Sequence, residues 1–160
     1  MKSLKYFILT ALMLLPVWAS AESWWYYIQE NEFVDGYNIA AMIEDEEGVT
    51  TFSIVYSPMY GMDKKPGVGI LYDDPENYII NPCFDDCVIY INADGKKFPA
   101  FKANAADRSY TFKDPIKVLN AIKGAKTIKV QLPPPVWGEV SVHTYHADEP
   151  LDLERLESPK

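Results

Sequence analysis

Beyond residue 21, apolar and polar positions mostly alternate with a period of two, broken roughly every eight to twelve residues by turn formers. An aromatic first strand is expected over 24–29. In a second, Tyr37, Ile39, Ala41 and Ile43 share a face, and the acidic turn Asp45-Glu46-Glu47-Gly48 ends it. Thr50, Phe52, Ile54 and Tyr56 alternate in a third, which forms a hairpin with the second. Residues 57–69 read as a loop broken by Pro58, Gly61, Pro66, Gly67 and Gly69, overlapping the start of a short strand at 68–72. Strands at 88–93 and 97–103 flank Asp94-Gly95, a strong two-residue hairpin signal, and Pro99 marks an edge or a bulge.

One helix is expected over about 114–124. Asp114 can cap it, Pro115 suits its first turn, Gly124 can end it, and Ile116, Leu119 and Ile122 form its apolar stripe. Ile128, Val130 and Leu132 then alternate in a strand that Pro133-Pro134-Pro135 stops. A last strand spans 139–145, and Leu151, Leu153 and Leu156 are expected to dock the end of the chain on the body. The sum is a mostly β chain: an antiparallel β-sandwich with one short helix.

The start has a different pattern. Lys2 and Lys5 precede an apolar run over 6–17, which ends in Ala19-Ser20-Ala21. These are the charged, apolar and small-residue regions of a secretory signal peptide. The run is shorter than the roughly 20 residues a membrane span needs and contains Pro16. Cleavage is expected between Ala21 and Glu22, leaving 22–160 as one soluble domain in the periplasm or outside the cell. No cysteine follows Ala21 directly to take a lipid anchor.

The formal charge of −8 becomes more negative once the leader's two lysines are gone. That disfavours nucleic acid and anionic membrane surfaces and favours basic protein partners, or serves solubility alone. In an oxidising compartment the two cysteines, Cys83 and Cys87, read as one disulfide closing a tight loop.

The runs Val-Ile-Tyr-Ile-Asn-Ala-Asp-Gly, Asp-Pro-Ile-Lys-Val-Leu-Asn-Ala-Ile-Lys-Gly-Ala and Lys-Thr-Ile-Lys-Val-Gln-Leu follow a Trp-containing strand and a hairpin. This order resembles the small periplasmic β-sandwich proteins grouped around invasion-associated locus B, best over 88–156. It also resembles similar accessory proteins of bacterial secretion clusters. The CxxxC pair departs from that group's pattern. The resemblance implies an accessory or host-associated role and carries no catalytic residues with it.

Cys83-Phe84-Asp85-Asp86-Cys87 has two readings. It can be a structural staple, or a rigid acidic tip with Phe84 as anchor and Asp85 and Asp86 meeting a basic hydrolase, as an inhibitor or immunity-type protein would use. A redox role fits poorly, because acids beside a thiol oppose the thiolate. Cys83, Cys87, His143 and His146 have zinc-ligand chemistry, but positions 143 and 146 lie on opposite strand faces. Met59 and Met62 read as packing residues. Trp24, Trp25, Tyr26 and Tyr27 read first as core and second as a stacking platform. Ser141 and His143, as neighbours on one strand, are not expected to form a triad. Asp73-Asp74 and Asp85-Asp86 leave a carboxylate-based hydrolase as a further alternative. The expectation is a partner-binding protein without catalytic activity, metal or cofactor.

Overall fold

The computed structural model describes residues 23–62, 64–73, 83, 85–133 and 139–157. The leader with Ala21 and Glu22, and also Asp74, Phe84, Pro134 and Pro135, lie outside the described residues. Ten strands follow in chain order: β1 Trp25–Glu30, β2 Tyr37–Glu44, β3 Thr50–Tyr56, β4 Gly67–Tyr72, β5 Cys87–Ala93, β6 Lys96–Lys97, β7 Phe101–Ala106, β8 Ser109–Phe112, β9 Thr127–Leu132 and β10 Ser141–His146. One α-helix, α1 Pro115–Ile122, stands between β8 and β9. The protein is therefore mostly β with one short helix, and every strand pair is antiparallel.

The strands form one sheet in the order β1-β2-β3-β4-β8-β7-β5-β9-β10, with β6 beside β5. A flat sheet would hold β3 and β10 far apart. Instead the Phe52 ring of β3 meets the Tyr145 ring of β10 edge-on at 5.7 Å, and Glu46 N–H donates to the Thr144 carbonyl at 2.9 Å. The sheet curls into a half-barrel, and its two halves face each other across one core as the layers of a sandwich would.

Alternation fills that core. Ile39, Ala41 and Ile43 of β2, Phe52 and Ile54 of β3, Val68 and Ile70 of β4, Ile89 and Ile91 of β5, and Ile128, Val130 and Leu132 of β9 are all buried. Gly69 has a specific role, because a Cβ there would stand 2.6 Å from the Tyr110 carbonyl oxygen of β8. Only a hydrogen side chain lets β4 and β8 pair at that point.

The Asp94-Gly95 turn has positive φ at both residues, 48° and 84°, as a two-residue hairpin requires. Asp94 also accepts hydrogen bonds from the Lys126 and Thr127 backbone, so the turn is tied to β9. After it, the second arm splits into β6 and β7 around Pro99, the irregularity that this proline predicts.

Asp114 caps α1 by accepting from Lys117 N–H at 3.3 Å. The helix buries Val118, Leu119, Ala121 and Ile122, whereas Ile116 is 44% exposed. The predicted stripe is thus shifted, because in the first turn Val118 reaches the sheet and Ile116 does not. At the chain end Leu151 and Leu156 dock as expected, while Leu153 is exposed. Asp152 N–H donates to the Tyr26 hydroxyl at 2.8 Å and Arg155 stacks on the Tyr26 ring at 4.0 Å, which fastens this end under β1. Among the described residues no helix is long and apolar enough to cross a membrane.

Candidate functional site

Three places carry chemistry: the disulfide loop, the outer face at β1, and the seam where β10 meets the β2–β3 turn. In the loop, Cys83 and Cys87 are bonded, and Cys87 is buried at the start of β5 opposite Ala103. Asp86 turns back onto the body, pairing with Lys102 at 3.1 Å and with Lys113. Hydrogen bonds from Lys113 and then Lys102 hold its carboxyl below the usual carboxylate range. Asp85 is exposed. Of the acidic pair expected to meet a basic partner, Asp86 is thus already neutralised by the protein's own lysines, which favours the staple reading.

At β1 the four aromatics divide by face. Trp24 is buried, stacked edge-on against Phe52 at 6.3 Å, and among the described residues its indole N–H has no acceptor. Tyr26 packs inward against the core. Trp25 and Tyr27 point outward and are 64% and 41% exposed, so core packing holds for only part of the motif. The outer face then continues across the sheet through register. Trp25 lies opposite Met42, Tyr27 opposite Ala40, and Ala40 opposite Val55. One shallow depression is lined by Trp25, Met42 and Leu71 with Glu44 and Asp73 at its rim, and a second by Tyr27, Ala40, Val55, Met59 and Tyr60. Met59 is exposed here, while Met62 places its sulfur over Gly67.

Alternation should make the outer face of such a sheet polar. Here it is apolar and aromatic at the β1 end, where β1 pairs with β2 alone among the described residues.

The seam is a buried polar network. Asp45, 2% exposed, accepts from the backbone N–H of Val49 at 2.7 Å and of Thr50 at 3.2 Å, and from the Thr50 hydroxyl at 3.1 Å. Its Oδ2 also meets His143 Nδ1 at 2.6 Å, and His143 Nε2 meets Ser141 Oγ at 3.0 Å. Burial pushes the Asp45 carboxyl up, but the bonds from His143, Val49 and Thr50 outweigh it and hold the pKa below the ordinary carboxylate value. Asp45 is therefore an acceptor only, and Nδ1 must carry the proton. The Tyr145 hydroxyl lies 2.7 Å from Thr50 Oγ1, and the Tyr72 ring stands edge-on to the His143 ring at 6.0 Å. Burial, partly offset by Ser141 and reinforced by the Asp45 charge, raises the Tyr72 pKa. At the outer rim His146 Nε2 pairs with Glu46 at 2.6 Å.

Ser141 and His143 were expected to form no triad because they are strand neighbours. The structure puts the two, as residues two apart, on one strand face and joins His143 to a carboxylate from a separate element, so the three form one hydrogen-bonded chain. Sequence offered one signal for this, the Ser-x-His spacing. Nothing local shows that the acidic turn a hundred residues away closes over it. His143 and His146 lie on opposite faces as expected, and Cys83 and Cys87 are bonded to each other, so the four zinc-type residues do not converge.

Comparison with family models, with curated proteins and with solved structures finds no match to this chain.

Proposed function

We propose that the chain is an exported accessory protein that acts in the periplasm, or outside the cell, by binding a protein partner at the β1 end of its sheet. One observation carries this reading: Trp25 and Tyr27 lie exposed on an edge strand, continuous with the apolar outer surface of Met42, Val55 and Leu71. Contiguous exposed aromatic surface marks contact sites, and aromatic anchors dominate interface energy. An uncovered edge strand adds backbone donors and acceptors that an extended partner segment can complete. Glu44 and Asp73 beside that surface select a segment that is apolar with basic flanks.

The alternative contact is the 83–87 loop of an inhibitor or immunity-type protein, now carried by Asp85 and by Phe84, with Asp86 engaged internally.

Photo-crosslinking in the exporting cell separates the two. A crosslinker at position 27 is expected to trap a discrete partner, and Trp25→Ser with Tyr27→Ser to abolish its capture. Phe84→Ala with Asp85→Asn should leave capture intact. Loss with the loop variant alone would transfer the site to the loop, and no discrete adduct from position 27 would overturn partner binding at the β1 end.

A further inference from the structure

We infer that Ser141 is an activated nucleophile, driven by His143 and oriented by Asp45, that can accept an acyl group from a carboxylic ester. This goes beyond partner binding and uses a separate part of the molecule.

The proton positions follow from the partners. A charged Asp45 can only accept, so His143 Nδ1 carries hydrogen, and in the form of the ring that can act as a base Nε2 is the acceptor. Ser141 must then donate to Nε2, across 3.0 Å. That is the connectivity a general base needs to take a hydroxyl proton as the oxygen attacks.

Asp45 is held as a positioning residue should be. Val49 N–H and Thr50 N–H fix one oxygen, and Thr50 Oγ–H fixes the other beside the imidazole. Because the Thr50 hydroxyl donates to Asp45, it accepts from Tyr145, so the support extends to the core. His143 and Asp45 are buried, while Ser141, at the first position of β10, is partly exposed. The reacting atom thus lies at the surface and its activators lie beneath it.

The balanced step is acyl transfer. Ser141 Oγ bonds to the ester carbonyl carbon as its proton passes to Nε2. The bond from carbon to the alcohol oxygen breaks, and that oxygen takes the proton from Nε2. A water molecule then attacks the acyl group by the same relay, releasing the acid and restoring Ser141.

The test uses a fluorophosphonate probe on the folded chain, which loses fluoride as Ser141 Oγ bonds to phosphorus. Peptide mass spectrometry should place the adduct on Ser141 and find none in Ser141→Ala. The labelling rate should fall about 100-fold or more in His143→Gln, the range for removal of a general base. It should fall at least about tenfold in Asp45→Asn, and be unchanged in Lys123→Gln, an exposed residue just beyond α1. No adduct on Ser141 of the folded wild type overturns the inference, as does an equal rate in folded His143→Gln. If that variant does not fold, urea-unfolded wild type replaces it, and labelling that persists there overturns the inference too.

Discussion

Tyr145 on β10 and Thr50 on β3 share a hydrogen bond of 2.7 Å, although five strands lie between theirs in the order of the sheet. Beside it the Phe52 and Tyr145 rings meet edge-on. The curl of the sheet is thus held by one polar and one aromatic contact at the same place. Phe52→Ala is expected to cost about 3–5 kcal/mol, since it removes a buried ring from this junction. Tyr145→Phe keeps the ring and loses one hydrogen bond, costing about 1 kcal/mol. Urea unfolding of the two variants checks the order.

Acid should loosen the seam. The folded pKa of Asp45 lies below its unfolded value, about 3.9. Its contribution is fully present above that value and is lost as pH falls through the folded pKa. Wild-type stability should therefore drop more steeply below about pH 4 than that of Asp45→Asn. Parallel slopes in chemical denaturation across that range would show that Asp45 does not titrate with folding.

Gly69→Ala should destabilise the protein by about 1–3 kcal/mol, the usual range for forcing added atoms into a packed site. The obstacle is the Tyr110 carbonyl in the β4–β8 ladder, which cannot rotate away as a flexible side chain would. Hydrogen exchange should show the faster amides concentrated in β4 and β8.

Reducing the Cys83–Cys87 bond should cost about 2 kcal/mol or less, because so short a loop confines little of the unfolded chain. Thermal melts with and without reductant measure this. Capture of the partner should survive reduction, since the β1 face does not include the loop.

Trp24→Phe should be tolerated far better than Phe52→Ala. It removes a buried indole N–H that has no acceptor among the described residues, and relief of that group offsets much of the lost area. A fall in stability as large as that of Phe52→Ala would show that the indole has a partner after all.

The fold was largely legible because alternation is local information. Ile39, Ala41 and Ile43, or Ile128, Val130 and Leu132, declare their face within a few residues, and Asp94-Gly95 and Asp114-Pro115 state their turn and cap directly. Less was legible where two faces compete for one residue type. Trp25 reads like Trp24 in sequence, and only the fold shows which of the two faces the core. The Asp86 pairing and the seam were not legible. Lys113 and Lys102, like Asp45 and His143, are brought to their partners by the order of strands, which no nearby residue encodes.

The two ends of the sheet are finished differently. The β10 end is fastened to the β2–β3 turn by Glu46, Asp45 and Thr50, whereas β1, among the described residues, pairs with β2 alone. A sheet of this kind can be extended in one direction, and each strand added there recreates the rim it covered. Termination must therefore come from the molecule that arrives, whose own far side has to be closed, or growth would continue from copy to copy. The net charge of −8 works against such growth, because identical rims then repel one another.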